Sequence, residues 1–178
     1  MVNLVMTVGV VLLAAVAIVL VRAAFIPNTF RVARATIIDA TREKVFALIN
    51  DMQSFNQWNP FAKMDSTLKI EYRGPASGPG AAYGWEGAGK AGKGSLEIAE
   101  ASVPGSVTMK LDIVKPMEAH NKVVFALHST GDATEVSWTM TGPYPYVNRL
   151  FGIFFNMDKI IGKEFESGLA NLKRMAEL

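Results

Sequence analysis

Val147–Ala176 reads VNRLFGIFFNMDKIIGKEFESGLANLKRMA. On a helical wheel with Phe154 at the origin, Val147, Leu150, Phe151, Ile161, Phe165, Leu169 and Leu172 fall within about 60° of it. Lys159, Lys163, Glu166, Lys173, Arg174 and Glu177 fall on the far side. The spacing predicts a long amphipathic helix whose oily face must lie on something large. Asp158 interrupts the pattern near the middle of that face.

The chain between residues 30 and 141 supplies the surface. Phe30–Ile38 reads as a first strand. Asp39–Ala40–Thr41 offers a helix N-cap, Lys44, Val45, Leu48 and Ile49 follow at helical spacing, and Asn50–Asp51 ends that helix. Met52–Trp58 is a second short helix, stopped by Asn59–Pro60. Strands then alternate oily and polar residues: Leu68, Ile70 and Tyr72; Tyr83 and Trp85; Leu96 and Ile98; Val107 through Ile113; Val123, Phe125 and Leu127; Val136, Trp138 and Met140. Gly74–Gly80, Gly87–Gly94, Pro104–Gly105 and Gly131–Asp132 are the turns between them. One oily face per strand and short connections predict an antiparallel meander of about seven strands in an α+β fold, not a parallel sheet. A curved sheet wrapped on the terminal helix leaves a hollow between the two.

Residues 1–22 are read as a transmembrane helix, 23–29 as a linker and 30–178 as the folded domain. Met1–Val21 carries no charged side chain, enough to cross a bilayer core of about 30 Å. A cleaved signal peptide is the rival reading, but it calls for a basic segment ahead of the oily core, and Asn3 is the one polar side chain there before Thr7. Arg22, Arg31, Arg34 and Arg42 follow the span, which predicts a single-pass membrane protein with its soluble domain in the cytoplasm.

Composition narrows the rest. Formal net charge is +2, with basic and acidic residues interspersed, so nucleic acid is not expected as a partner. There is no cysteine, which removes disulfides and thiolate metal sites. His120 and His128 share a strand face but stand about 27 Å apart, too far for one metal. No metal or cofactor is expected, and oligomeric state leaves no signature. Gly87–Gly94 nearly spells a P-loop, yet Gly94 stands where Ser or Thr should be and a strand follows, so it reads as a hairpin turn.

Some stretches carry a resemblance. They are Ile38–Asp39–Ala40 leading into Val45–Phe46–Ala47–Leu48–Ile49; Phe55–Asn56–Gln57–Trp58–Asn59–Pro60–Phe61; Gly74 to Tyr83–Gly84–Trp85; Lys115–Pro116–Met117; and Gly162, Lys163, Phe165, Gly168 and Leu169. With the element order, they make residues 30–177 resemble the SRPBCC superfamily, also called START-like, and within it the bacterial polyketide cyclase/dehydrase-like branch. The resemblance implies a helix-grip fold with a deep apolar cavity. It implies ligands such as lipids, sterols, quinones or polyketides, with a minority of members catalysing cyclisation or dehydration. It supplies no catalytic residues.

Trp58, Tyr83, Trp85, Leu111, Phe125, Trp138, Phe154, Asp158, Ile161 and Phe165 are the candidate pocket residues; the aromatic ones would serve equally as ordinary core. Asp158 has two readings: a carboxylate in an apolar cavity with a raised pKa, or a residue at a helix break at Asn156 that caps the second segment or pairs with an indole or hydroxyl of the sheet. It is a weak catalytic candidate. His120 with Glu118 is a further one. Three functions follow: a membrane-tethered carrier of a hydrophobic small molecule, a cyclase or dehydratase using Asp158 and Tyr83, or an interaction domain with a filled core. The lack of a convergent acid–base set favours the carrier.

Overall fold

The structure, a computed structural model, describes the backbone of residues 2–89 and 91–178 and the side chains of residues 6–89 and 91–178. Helix α1 (Val2–Phe25) leads into strand β1 (Thr29–Ile38). Two short helices follow, α2 (Arg42–Asn50) and α3 (Met52–Trp58), then a single 3-10 turn at Pro60–Lys63. Six strands come next: β2 (Lys69–Arg73), β3 (Ala82–Glu86), β4 (Lys93–Ser102), β5 (Ser106–Lys115), β6 (Ala119–Thr130) and β7 (Ala133–Pro143). The chain closes with α4 (Tyr146–Gly152) and α5 (Met157–Ala176). All pairings are antiparallel, in the order β1-β7-β6-β5-β4-β3-β2. This is the antiparallel α+β architecture that the alternation of the strands predicts, and the helix-grip fold that the resemblance implies.

Local chemistry sets the boundaries. Thr41 caps α2 by accepting from the Lys44 amide, and Asp51 caps α3 by accepting from Ser54. Helix α1 runs three residues past the expected end of the span, to Phe25, so the linker shortens to residues 26–28. Met6–Phe25 is long and apolar enough to cross a membrane.

The C-terminal helix is broken where the sequence carries Asn156. Its side-chain oxygen accepts from the Lys159 amide at 2.9 Å and starts α5 afresh. The oily face therefore divides. The α5 part, from Ile161 to Ala176, lies on the sheet, whereas α4 buries none of its residues.

Helix α5 runs alongside β1. Arg34 of β1 holds Asp158 and Glu166, at 3.1 and 2.7 Å. Further on, Lys173 donates to the Ile37 carbonyl and Glu177 accepts from the Asp39 amide, both at 2.8 Å. Register then defines two sheet ends. Thr29, Pro143, Ala119, Lys115, Lys93, Glu86 and Lys69 lie at the end joined to α1; Ile38, Ala133, Thr130, Ser106 and Ser102 lie at the other.

Candidate functional site

A cavity of about 340 Å³ lies between the sheet and α5, near the lower end of small-molecule sites, about 300–1,000 Å³. It occupies the half of the grip nearest α1. Strand β5 contributes Leu111, Ile113 and Lys115; β4 contributes Leu96; β6 contributes Val123; β7 contributes Trp138 and Met140; and α5 contributes Ile161 and Phe165. Phe55, Asn59, Phe61, Ala62, Met64 and Leu68 wall the side made by α3 and the chain after it. Exposed Met64, Lys115 and Pro116 mark the mouth.

The floor is a block of rings. Trp138 stacks on Phe165 with centroids 4.1 Å apart, and Phe125 lies 5.0 Å and Trp58 5.7 Å from Trp138. Phe55 meets Trp58 edge-on at 4.7 Å. Gly168 permits this stacking, because a Cβ there would come within 2.6 Å of Trp138 Cζ3 and 2.9 Å of Pro60 Cδ. The close approach at Gly168 is thus made by side chains, Trp138 of β7 and Pro60, and not by strand backbone.

One polar pair breaks the apolar wall. Asn59 Nδ2 donates to the Tyr83 hydroxyl at 3.2 Å, with both residues buried. Asn59 Oδ1 accepts from the Phe61 amide at 3.2 Å, which fixes the orientation of the amide. Burial pushes the Tyr83 phenol well up, so it stays protonated. In this bond the phenolic oxygen accepts, and among the described residues nothing takes its own proton. Trp138 Nε1 is likewise buried without a partner among the described residues. The Trp58 indole, by contrast, is satisfied by the Leu48 carbonyl at 2.9 Å.

The residues singled out from sequence separate into three groups. Tyr83, Trp85, Leu111, Trp138, Ile161 and Phe165 line the cavity. Trp58 and Phe125 lie beneath it, fully buried in the ring block. Phe154 and Asp158 lie outside. Phe154 is 70% exposed because the break at Asn156 turns it off the sheet. Asp158 sits in the first turn of α5, pointing to Arg34, whose hydrogen bonds hold its carboxyl below the usual range and not above it. Of its two readings, the helix break at Asn156 stands, but the cap is Asn156 and not Asp158, and the partner is a guanidinium of β1 and not an indole or hydroxyl.

His120 is also outside the cavity. Its two ring nitrogens meet Asp112 at 2.6 Å and Glu118 at 3.3 Å on the exposed surface. Glu86 is solvated and paired with Lys93 at 3.0 Å. Gly87 to Gly92 form the turn between β3 and β4, closed by the Gly87 amide on the Gly92 carbonyl at 2.8 Å; Lys90 of the P-loop-like run lies outside the described residues. No cluster of three metal-ligating side chains occurs among the described residues.

The family model described as polyketide cyclase / dehydrase and lipid transport matches residues 29–177. The chain belongs to this family. The polyketide cyclase/dehydrase fold is also seen in solved structures at low identity. Protein CV1439 from Chromobacterium violaceum is 14% identical, with a TM-score of 0.60 over 86% of this chain and 99% of its own. A protein from Thermobifida fusca is 19% identical, with a TM-score of 0.60 over 80% and 90%. Ara h 8.0201 is 9% identical, with a TM-score of 0.57 over 83% and 97%. At these identities the likeness is one of fold. Among curated protein sequences none matches this chain. The family's description joins cyclisation and dehydration with lipid transport.

Proposed function

We propose that this polyketide cyclase/dehydrase family member is a membrane-tethered carrier, holding one hydrophobic molecule in the hollow half of the grip. The observation that carries the reading is an apolar cavity at the sheet end joined to α1. A volume near 340 Å³ suits one acyl chain or a fused ring system, as in a fatty acid, a quinone or a polyketide-like ring, and not a two-chain lipid. The Tyr83 hydroxyl and the Trp138 indole N–H are uncommitted donors on cavity-lining residues. A ligand with a carbonyl or hydroxyl oxygen would satisfy one of them and relieve the cost of a buried unpaired group, about 1–3 kcal/mol.

Retention of α1 as an anchor is part of the proposal. Ala23 is fully buried, the Tyr146 hydroxyl donates to the Leu20 carbonyl at 2.8 Å, and Arg149 donates to the Ile26 carbonyl at 2.8 Å. A cleaved segment would take these contacts with it. Arg22 in the last turn of α1 and Arg31 beyond it favour a cytoplasmic domain.

The test is native mass spectrometry of the full chain released from its own membranes. One apolar adduct per protein is expected, absent from Leu111→Trp, whose indole projects into the cavity and obstructs it. A fluorescent anthroyloxy fatty acid should bind the wild-type chain and not that variant. An empty wild-type cavity that also takes up no probe would overturn the carrier reading.

A further inference from the structure

A run of exposed large hydrophobic residues lies at the elbow between α4 and α5. Leu150–Met157 reads LFGIFFNM, with Asn156 its one polar side chain. Phe151 and Phe155 are each 59% exposed and Phe154 70%, and Ile160 one turn on is exposed as well. Soluble surfaces scatter such residues; a contiguous patch of this kind marks a binding face.

The neighbouring helix says what covers it. Tyr146 and Arg149, both of α4, hydrogen-bond to carbonyls at Leu20 and Ile26, where α1 ends. The Arg149 guanidinium also lies 5.4 Å over the Tyr146 ring. If α1 crosses the bilayer, as the carrier reading holds and on which this inference rests, Leu20 to Ile26 lie where the chain leaves the hydrocarbon. Helix α4 is then held at the level of the headgroups, the depth tyrosine and arginine favour. Phe25 at the tip of α1, 85% exposed, continues the apolar surface. A second copy of the chain would have to cover the elbow while both copies stay anchored beside it; lipid is already there.

We propose that the α4–α5 elbow is a second membrane contact, which inserts Phe151, Phe154 and Phe155 about 5–10 Å into the boundary between headgroups and acyl chains. The consequence for the cavity follows from chain order. Exposed Ile160 is followed by Ile161, which lines the cavity, and the mouth at Lys115 and Pro116 opens at the same sheet end. Seating the elbow brings that mouth to the lipid surface, so an apolar ligand passes between bilayer and cavity without crossing bulk water.

The chain has no cysteine, so single labels are direct. Leu13→Cys, Phe151→Cys, Phe154→Cys and Val103→Cys are placed in turn in the full chain and given a nitroxide. The protein is reconstituted in vesicles of phosphatidylcholine with a minority of phosphatidylglycerol. Accessibility to oxygen and to a nickel chelate gives each label's depth. Leu13 is expected in the hydrocarbon, Phe151 and Phe154 at the interface, and Val103, in the turn between β4 and β5, in water. A Phe154 label as open to the chelate as Val103, with Leu13 still in lipid, would overturn the elbow proposal and leave the tether intact. A Leu13 label in water would overturn both. Shielding of Phe154 with dipolar broadening that vanishes on dilution with unlabelled chain would assign the elbow to a second copy and overturn the membrane contact. Finally, Phe154→Asp with Phe155→Asp should slow transfer of the anthroyloxy fatty acid from vesicles several-fold without changing its equilibrium binding; unchanged transfer would overturn the portal.

Discussion

Val107 and Met109 of β5 are fully buried, whereas Leu111 and Ile113, two and four residues further along the same strand, line an open cavity. The same division runs through the grip. Ile98 is sealed and Leu96 faces the hollow; Phe125 is sealed and Val123 faces it; Leu169 and Leu172 are sealed, and Ile161 and Phe165 face it. Helices α2 and α3 make the difference. Val45, Ile49, Met52 and Trp58 fill the half of the grip towards Ile38, and among the described residues no equivalent plug covers the half towards Thr29. The fold thus separates its work: one half supplies stability and the other keeps space open at the sheet end joined to α1.

The largest expected effect tests that division directly. Leu172→Ala, in the sealed half, should cost about 2–5 kcal/mol, the sum of lost transfer energy and a new void. Leu111→Ala should cost well under half as much, because its side chain already borders empty space. Chemical unfolding of both variants in micelles compares them. Equal losses would mean that the cavity closes in solution.

Two glycines on the face of α5 sharpen the contrast. Ala at either position should gain about 1 kcal/mol in helix propensity. At Gly168 the new methyl meets the Trp138 ring, which Phe165 and Trp58 hold in place, so Gly168→Ala should be net destabilising by about 1–3 kcal/mol. At Gly162 the nearest atoms are those of the Arg34 guanidinium, the tip of a long flexible chain. Releasing two exposed ion pairs costs little, so Gly162→Ala should stay within about 0.5 kcal/mol of wild type. Thermal unfolding of the two variants side by side gives the answer.

This contrast also shows what a sequence can carry. Strand alternation and the helical period of Ile161–Leu172 express burial directly, so sheet, meander and grip were legible. The fate of Phe154 was not. It shares a wheel sector with Leu172, but a wheel assumes one continuous helix, and the Asn156 cap ends that assumption. The same wheel puts Asp158 in the pocket; its other reading, at a helix break at Asn156, is the one the structure shows. What the sequence does not reveal is its partner, Arg34, 124 residues earlier in a strand where an arginine looks merely exposed. The Asn59–Tyr83 pair was half visible: Asn59 stands inside the Trp58–Asn59–Pro60 run, but nothing local says that its amide reaches β3.

Within the hollow half, Tyr83→Phe separates recognition from burial. It removes the donor and leaves the ring. Affinity for a carbonyl-bearing ligand should fall about tenfold, equivalent to about 1.4 kcal/mol, while a ligand without polar atoms should bind as before. Fluorescence titration with paired probes makes the comparison. Equal losses for both would mean that the hydroxyl only shapes the wall.

The smallest effect lies outside the cavity, at the sheet end shared with α1. Both nitrogens of His120 face carboxylates, Asp112 first and then Glu118, and these hydrogen bonds raise its pKa above the ordinary value of about 6.5. A raised folded-state pKa contributes stability that is fully present below about pH 6.5 and is lost as pH rises through the folded value. Proton NMR of the His120 ring should therefore show titration above 6.5, moving down in Asp112→Asn. Residue 120 pairs with Asp112 near the β5–β6 turn, the end that the elbow would bring to the bilayer. Anionic phosphatidylglycerol in the vesicle should then raise the titration further at low salt, because negative surface potential within a Debye length favours the imidazolium. A midpoint indifferent to lipid charge would put that end of the sheet beyond the reach of the membrane surface.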